Sequence, residues 1–379
     1  MRIIALENHP STQEGGQELS FYDLLKGLHG KGHEIVLLYV KEGDLLERYR
    51  AFCADTIRVN GYRASASRPI GSILDIVRDI SRVSAAGPTV VYANQYLDAF
   101  FAAGLSLKLR CPFVCHLRLP PSDRFSRQYR LGLRRASKLI AVSAQTRSEY
   151  VEQDFDPARI RVVHNGIDSA RFKGRDAAAE RRRAGLPETG YLITYAGRLH
   201  PAKGLETLIE AFSLMRRREE GDRLVIAGDV SDHILFNGGQ RDYRAELEAY
   251  AERKGVADDI AWIKHCADIP GLFTASDIVV VPSLWPEPFG RTLIEAMACG
   301  VPALGSAVGG IPEILTGSFK RFLFDAGIVS DLAALIESMR GWKQKEPALA
   351  DECRAHVERH FTIAKTVDGV EAVLKELVP

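Results

Sequence analysis

Short apolar runs alternate with amphipathic segments through the first half of the chain. Runs rich in β-branched residues predict strands, whereas apolar residues repeating every three or four positions predict helices. Gln17–Leu28 is the first predicted helix, with a leucine stripe, and glycines close it. This rhythm predicts a parallel sheet with helices on both faces. The predicted strands are Ile3–Leu6, Glu34–Val40, Thr89–Tyr92, Pro112–His116, Lys138–Val142 and Ile160–Val163.

The same rhythm restarts in the second half. Between the halves lies the charged, alanine-rich segment Lys173–Arg183, which is the predicted connection between two domains. From Ser330 onwards the pattern is helical, and the amphipathic segment Thr362–Leu377 requires a partner surface. The predicted elements are strands Tyr191–Ala196, Arg223–Ala227, Ile260–Ile263 and Ile278–Val281, and helices Leu205–Met215, Arg241–Lys254 and Ile269–Thr274.

Composition narrows the class of protein. The chain has 379 residues, of which 46% are hydrophobic and 26% charged, as expected for a globular protein of two domains. A net charge of +1 argues against bulk nucleic-acid binding. The sequence contains no apolar run of about 18 residues and no signal-peptide pattern, so we expect a cytoplasmic protein.

Two acids stand eight positions apart in the segment after the last predicted strand. Glu287 lies in a proline-rich loop, and Glu295 lies in an apolar run with helical spacing. The predicted helix begins near Phe289, and its free N–H groups suit an anion, which Gly290 allows to approach closely. An anion cradle flanked by two carboxylates fits a nucleotide sugar. The alternative is a structural one, in which Glu295 pairs with an internal arginine and Glu287 belongs to a plain turn.

Three further segments contain candidates for ligand contacts at the carboxyl ends of predicted strands. Arg198 and Lys203 follow the first strand of the second half, where Arg offers paired hydrogen bonds to a phosphate and Lys a point charge. His116 ends a strand of the first half. Gly15 and Gly16 open a helix without a dinucleotide or P-loop pattern. A solvated loop, a locally satisfied histidine and a plain turn are the respective alternatives.

Residues 118–135 contain six arginines and one acid, Asp123. In a helix, Arg127, Arg130 and Arg134 share one face, and apolar residues share the other. The stretch Arg124–Arg135 could dock on anionic lipid or hold an anionic acceptor, and the alternative is a solvated face. Asp154 and Asp156 resemble a metal-binding acid pair, but they lie after a helix pattern and before Pro157. His356 and His360 are one helical turn apart but do not form an HExxH motif, so we expect no metal and no cofactor.

Taken in order, these motifs resemble those of the retaining glycosyltransferases of the large family-four group, which have the GT-B fold. Glu287 and Glu295 match the family's EX7E motif, and Arg198 with Lys203–Gly204 matches its phosphate loop. Further matches are Gly15–Gly16, Asn165–Asp168, and Gly309–Gly310 followed by Glu313.

The resemblance implies an α/β protein of two doubly wound, Rossmann-like domains that face a cleft. The N-terminal, acceptor-side domain is expected over residues 1–183, joined by a C-terminal helix, 362–379, that crosses back to it. The nucleotide-sugar domain is expected over residues 184–361.

The resemblance also assigns roles to individual residues. Arg198, Lys203 and the helix start hold the donor diphosphate, Glu295 binds the ribose, and Glu287 contacts the donor sugar. Gly16 leaves room beside the diphosphate, and His116 contacts the sugar near the reacting face, so His116 and Glu287 are the expected catalytic residues. The helix start comprises Phe289, Gly290, Arg291 and Thr292.

The implied reaction moves a sugar from a nucleotide sugar, with UDP expected on family frequency, to a glycan or lipid-linked glycan in envelope or exopolysaccharide synthesis. Two other functions stay open: a non-catalytic nucleotide-sugar-binding subunit and a GT-B sugar-nucleotide epimerase. The sequence departs from the family pattern in the acids Glu7 and Glu14 of the first loop, and in Arg118, where the family often has an acid.

Overall fold

The chain divides into two compact units. A computed structural model describes residues 1–12, 15–121, 125–173, 175–215, 219–230, 235–236, 239–240, 242–264 and 266–378. The first unit comprises Met1–Ile167 and Ile363–Pro379, and the second comprises Asp168–Thr362. Glu14, Asp123 and Arg124, which were considered in the sequence, lie outside the described residues.

A seven-stranded parallel sheet forms the centre of the first unit, in the order β3-β2-β1-β4-β5-β6-β7. Because strand residues alternate between faces, Ile3 and Ala5 enter one buried core while Ile4 and Leu6 enter the other. Helices therefore cover both faces. The strands are β1 (Arg2–Glu7), β2 (Glu34–Tyr39), β3 (Asp55–Arg58), β4 (Thr89–Ala93), β5 (Phe113–Leu117), β6 (Lys138–Ala141) and β7 (Ile160–Val162). The helices are α1 (Gly16–Gly30), α2 (Leu46–Arg50), α3 (Pro69–Arg82), α4 (Ala99–Leu109), α5 (Arg127–Arg135) and α6 (Ala144–Val151).

The second unit repeats this architecture with a six-stranded parallel sheet, in the order β12-β9-β8-β13-β14-β15. A separate two-stranded hairpin, β10-β11, is antiparallel. The strands are β8 (Leu192–Ala196), β9 (Arg223–Ala227), β10 (Leu235–Phe236), β11 (Gly239–Gln240), β12 (Ile260–Ile263), β13 (Ile278–Val281), β14 (Ala303–Ser306) and β15 (Leu323–Phe324). The helices are α7 (Ala177–Arg183), α8 (Leu205–Ser213), α9 (Tyr243–Arg253), α10 (Ile269–Ala275), α11 (Arg291–Ala298), α12 (Ile311–Ile314), α13 (Val329–Ser338), α14 (Trp342–Lys345) and α15 (Leu349–His360).

The boundary between the units lies earlier than the expected one at residue 183. Helix α7, which the sequence analysis treated as a connection, packs on α10 of the second unit. Its Arg181 is buried, donates a hydrogen bond to the Ala275 carbonyl and pairs with Asp277 at 2.7 Å. These contacts make the segment part of the second unit.

The last helix, α16 (Ile363–Lys375), belongs to the first unit. Its buried side chains Val367, Val370 and Leu374 join the core that contains α1. Glu371 accepts hydrogen bonds from Lys31 at 2.8 Å and shares one with His33 at 2.9 Å. Within the described residues, no helix is both long and apolar enough to cross a membrane.

Candidate active site

The loop after β8 carries the two cations that the sequence analysis selected. Arg198 is exposed, and its backbone carbonyl accepts a hydrogen bond of 2.7 Å from the Tyr195 hydroxyl. Lys203 ends a short 3-10 turn, Pro201–Lys203, that His200 caps by accepting from the Ala202 N–H. The turn therefore fixes the backbone on which Lys203 stands.

This loop packs directly on the segment that follows β13. Gly204 has a φ of +70°, and a Cβ there would lie 2.0 Å from the carbonyl oxygen of Pro282. The Leu284 N–H donates to the Ala202 carbonyl at 2.8 Å. Only glycine permits this approach, which brings the phosphate-loop motif against the start of the EX7E motif.

Lys203 and Glu287 form an ion pair with an N–O distance of 2.5 Å. The Ser283 hydroxyl donates to the same carboxylate oxygen at 3.1 Å. Burial acts to raise the pKa of Glu287, but the charge and hydrogen bond of Lys203, with Ser283 and Arg198, outweigh it and lower the pKa. Glu287 is therefore ionised at neutral pH and can accept hydrogen bonds from hydroxyl groups.

Two glycines, Gly309 and Gly310, contact the backbone of Glu287. The Gly310 N–H donates to the Glu287 carbonyl at 2.7 Å. Gly309 has a φ of +60°, and a Cβ there would lie 2.2 Å from the same carbonyl oxygen. The Gly309–Gly310 motif is thus a backbone surface against which the Glu287 loop rests.

Helix α11 begins at Arg291, close to the start predicted near Phe289. Gly290 is its N-cap residue, with a φ of +103°, and Arg291 and Thr292 are its first two residues. The Thr292 hydroxyl lies 3.5 Å from the Ala196 carbonyl, at the carboxyl end of β8. Backbone N–H groups at a helix N-terminus attract anions, so this end is suited to a phosphate.

Two candidate residues at or near this helix start have contacts that differ from the simplest expectation. Glu295 accepts a hydrogen bond of 2.6 Å from the Arg291 guanidinium, which is the pairing named as the structural alternative. Phe289 is 3% exposed, and its ring packs edge-on against Phe361. The Phe289 side chain therefore belongs to the core.

Trp285 is a further candidate residue of the donor site, and it was not predicted from the sequence. Its ring centre lies 5.9 Å from the Lys203 ammonium. The indole Nε1 is buried and has no hydrogen-bond partner among the described residues. Its position two residues before Glu287 was visible in the sequence, but its proximity to Lys203 was not.

His116, the candidate in the first unit, is fully buried within β5. The predicted strand ends at His116, whereas β5 continues to Leu117, and Tyr92 of β4 contacts one ring nitrogen. The Tyr92 hydroxyl and His116 Nδ1 share a hydrogen bond of 2.7 Å. Burial, and then the Arg118 charge, lower the pKa of His116 well below its usual value, so the imidazole is neutral at pH 7.

A buried polar network links strand ends at the carboxyl edge of this sheet. Arg118 donates through Nε to Asn94 at 2.6 Å and through a terminal nitrogen to Asn165 at 2.9 Å. Asn94 donates in turn to Glu7 at 2.8 Å. Burial, with Glu18 and Asp98, raises the pKa of Glu7 well above its usual value. Arg118, which departs from the family pattern, thus has defined hydrogen-bond partners in this structure.

Gly16, the remaining candidate of this unit, is exposed at the start of α1.

Comparison with solved structures identifies the class of fold. The Anabaena protein Alr3699/HepE, in complex with UDP and glucose, aligns with a TM-score of 0.84 and 24% identity over 99% of each chain. Its complex with UDP-glucose aligns with a TM-score of 0.83 over 100% of each chain. At this identity the likeness shows the fold, which is GT-B.

Sequence comparison identifies the family. The profile "Glycosyltransferase Family 4" matches residues 14–171, and "Glycosyl transferases group 1" matches residues 176–347. The chain belongs to the family-4 glycosyltransferases. The D-inositol 3-phosphate glycosyltransferase of Salinispora arenicola is 32% identical over 256 residues, which are 64% of this chain and 55% of that protein. The Salinispora tropica protein of the same name is 33% identical over 64% of this chain and 52% of its own length. The chain spans about half the length of these curated relatives.

Proposed function

We propose that this chain is a retaining, metal-independent hexosyltransferase that moves a sugar from a UDP-sugar to a hydroxyl group of a glycan or lipid-linked glycan. The observation that carries the proposal is the Lys203–Glu287 ion pair, which joins the phosphate-loop and EX7E motifs of the family in one unit. UDP as the nucleotide is supported by the UDP and UDP-glucose complexes of the Anabaena neighbour.

In this reaction the anomeric C–O bond to the diphosphate breaks, and a bond from the acceptor oxygen to the same carbon forms on the same face. The acceptor proton passes to the leaving phosphate oxygen. Negative charge develops on that phosphate as the bond breaks. Arg198, Lys203 and the start of α11 would stabilise this charge without a metal ion, because the cations and the helix N–H groups are already in place.

The ionised state of Glu287 assigns it the role of hydrogen-bond acceptor for donor-sugar hydroxyls. Lys203 has three donors, so its ammonium can bind Glu287 and a phosphate oxygen together. Glu295, paired to Arg291, is proposed to bind the ribose hydroxyls. The role of His116 beside the reacting sugar stays a prediction. The proposal also includes polysaccharide synthesis in the cytoplasm and peripheral membrane contact through the basic segment ending at Arg135.

Nucleotide binding gives the first test. Thermal stability is measured with UDP, GDP and ADP, each with EDTA, for the parent chain and a Glu295→Ala variant. A nucleotide at a hundred times its dissociation constant stabilises the folded state by about 2.7 kcal/mol. We expect UDP alone to stabilise the parent, and the variant to lose the effect. No stabilisation by any nucleotide would contradict the proposed donor site.

Turnover separates the three candidate functions. We expect UDP release that depends on an added acceptor, with D-inositol 3-phosphate tested beside glycan acceptors because the curated relatives carry that name. Conversion of the donor without acceptor would identify an epimerase, and binding without turnover would identify a non-catalytic subunit. Arg198→Ala should weaken donor binding and turnover, whereas Glu287→Ala should chiefly lower turnover. Unchanged kinetics in the Arg198 variant would contradict the proposed site.

A further inference from the structure

Helix α3 exposes an apolar stripe on the first unit. Four aliphatic residues at positions i, i+3, i+4 and i+7 share one side of this helix. Their exposed fractions are 75% for Ile70, 47% for Ile73, 59% for Leu74 and 58% for Val77. Contiguous exposed apolar residues of this kind mark a surface that binds another phase or molecule.

The stripe is distinct from the side by which α3 is anchored. Ile76 and Ile80 are buried in the core of the first unit, as is Val83 just after the helix. Buried Asp79 accepts hydrogen bonds from the Asn60 backbone and side chain, which fixes the preceding loop. The helix is therefore anchored along its buried side, and the exposed stripe is the adjoining part of its apolar face that this core does not cover.

Exposed arginines flank this stripe. The side chains of Arg68, Arg78 and Arg82 are 73%, 72% and 56% exposed, respectively. The acids opposite them are less accessible, since Asp75 is 30% exposed and Asp79 is buried. The flank of the stripe thus presents positive charge to its surroundings.

Helix α5 lies near the start of α3 and also exposes apolar and basic side chains. Helix α4 packs on both α3 and α5, and the Ala64 N–H before α3 donates to Gln128 of α5 at 3.2 Å. On α5, Leu131 is 58% exposed, and Arg127 and Arg134 are exposed. The other face of α5 carries Tyr129, which packs against Tyr96, and Phe125 just before the helix packs against Tyr150. The exposed residues of α3 and α5 are called the α3–α5 surface below.

The charge of the α3–α5 surface indicates which kind of partner it binds. Residues 61–82 and 125–137 together contain eight arginines and two aspartates, whereas the whole chain has a net charge of +1. Positive charge is therefore concentrated here. Aliphatic side chains flanked by arginines are the composition of helices that lie in an anionic lipid interface, where the apolar face enters the headgroup boundary and the cations contact phosphates.

We propose that the α3–α5 surface docks this chain on an anionic lipid bilayer, with Ile70, Ile73, Leu74 and Val77 entering the interface. This assignment extends beyond the basic segment of α5, because it makes α3 the inserting element. It does not depend on the proposed sugar transfer, since docking is measured without donor or acceptor.

Vesicle flotation tests the proposal with the full chain. The probes are vesicles of equal phosphatidylglycerol and phosphatidylethanolamine, and vesicles of phosphatidylcholine alone. We expect binding to the anionic vesicles that weakens with added salt. Ile70→Gln/Leu74→Gln should weaken binding at least about tenfold, because two exposed aliphatic groups lose their apolar transfer. Arg78→Gln/Arg134→Gln should weaken it about fivefold per arginine.

Matched controls come from the second unit. Leu214→Gln removes a leucine that is 55% exposed, and Arg359→Gln removes an exposed arginine, so both should leave vesicle binding unchanged. Circular dichroism and UDP binding, unchanged in every variant, would show that folding and the donor site are intact. Equal binding of the α3 variant and the parent would overturn the proposal, as would no binding of the parent. Self-association that the α3 variant abolishes, without vesicle binding, would reassign the surface to a second copy.

Discussion

Lys203 donates a hydrogen bond of 2.5 Å to Glu287, which lies 84 positions further along the chain. The contact joins the loop after β8 to the loop after β13, and these two strands are neighbours in the sheet. Their side chains are 18% and 17% exposed, so the pair is largely removed from water. The phosphate-loop and EX7E motifs, which define the candidate donor site, are thus joined by a direct side-chain contact.

Replacing Lys203 should destabilise the folded protein. We expect Lys203→Met to lower the free energy of unfolding by roughly 1–3 kcal/mol, because a mostly buried carboxylate loses its partner. Lys203→Met/Glu287→Gln should recover part of that loss. Urea denaturation measures both, with Lys320→Met as the exposed-lysine control. Purely additive effects would mean that the two residues are not coupled.

The Glu295 carboxylate is predicted to matter for nucleotide binding despite its pairing with Arg291. Glu295→Gln should weaken UDP binding about tenfold, since a hydrogen bond to a charged group is replaced by one to a neutral amide. Isothermal calorimetry measures the affinity, and Glu358→Gln, on the exposed side of α15, is the control. If UDP affinity is the same in both variants, Glu295 pairs with Arg291 within α11 and does not bind the nucleotide.

A methyl group at Gly309 should displace Glu287. Gly309→Ala adds a Cβ that would lie 2.2 Å from the Glu287 carbonyl oxygen, at a φ of +60°. Gly317→Ala has the same backbone penalty, with a φ of +59°, but meets no atom within 4 Å. The Gly309 variant should therefore lose about 1–3 kcal/mol more stability than the Gly317 variant. Thermal denaturation compares them, and equal losses would refute the close approach.

Asp98 should make stability fall as pH rises. Burial raises the pKa of Asp98 to about 7, although the Arg63 charge and the Gln95 side chain oppose the shift. Between the unfolded pKa near 4 and the folded pKa near 7, the folded state binds more protons, so ionisation destabilises it. Asp98→Asn should therefore be more stable than the parent at pH 8, and this gain should vanish towards pH 4. A gain independent of pH would contradict the assignment.

Glu371 should have the opposite dependence. Hydrogen bonds from Lys31, Lys375 and His33, in that order of effect, lower the pKa of Glu371 to about 2 despite some burial. Its contribution to stability is present above the unfolded pKa of about 4.3 and is lost as the pH falls towards 2. Glu371→Gln should destabilise the chain at pH 7 and have little effect near pH 2. Acid titration of unfolding measures the difference between variant and parent.

The sequence predicts most of the fold because most strands of the two parallel sheets are short apolar runs; β3, Asp-Thr-Ile-Arg, is an exception that was not predicted. Arg223–Ala227, Ile260–Ile263 and Ile278–Val281 are found at their predicted bounds. Strand β14, Ala303–Ser306, was missed, because its composition of Ala, Leu, Gly and Ser lacks β-branched residues. Strand β15 has two residues, which is too short for any periodicity.

The candidate site was predicted in part, because motifs reveal order along the chain but not side-chain partners. Glu287 and Lys203 could each be selected from the sequence, whereas their ion pair required the packing of Gly204 on Pro282. The burial of His116 depends on Tyr92, a residue of the neighbouring strand. Such relationships arise from sheet order, which no local pattern records.

The placement of α16 has a consequence for how the chain reaches its folded state. Val367, Val370 and Leu374 complete the core around α1, although nearly two hundred residues of the second unit separate them from the rest of the first. During synthesis the ribosome delivers these side chains after the whole second unit has emerged. Part of the apolar core of the first unit therefore stays uncovered until α16 has been synthesised, whereas the second unit can complete its folding earlier.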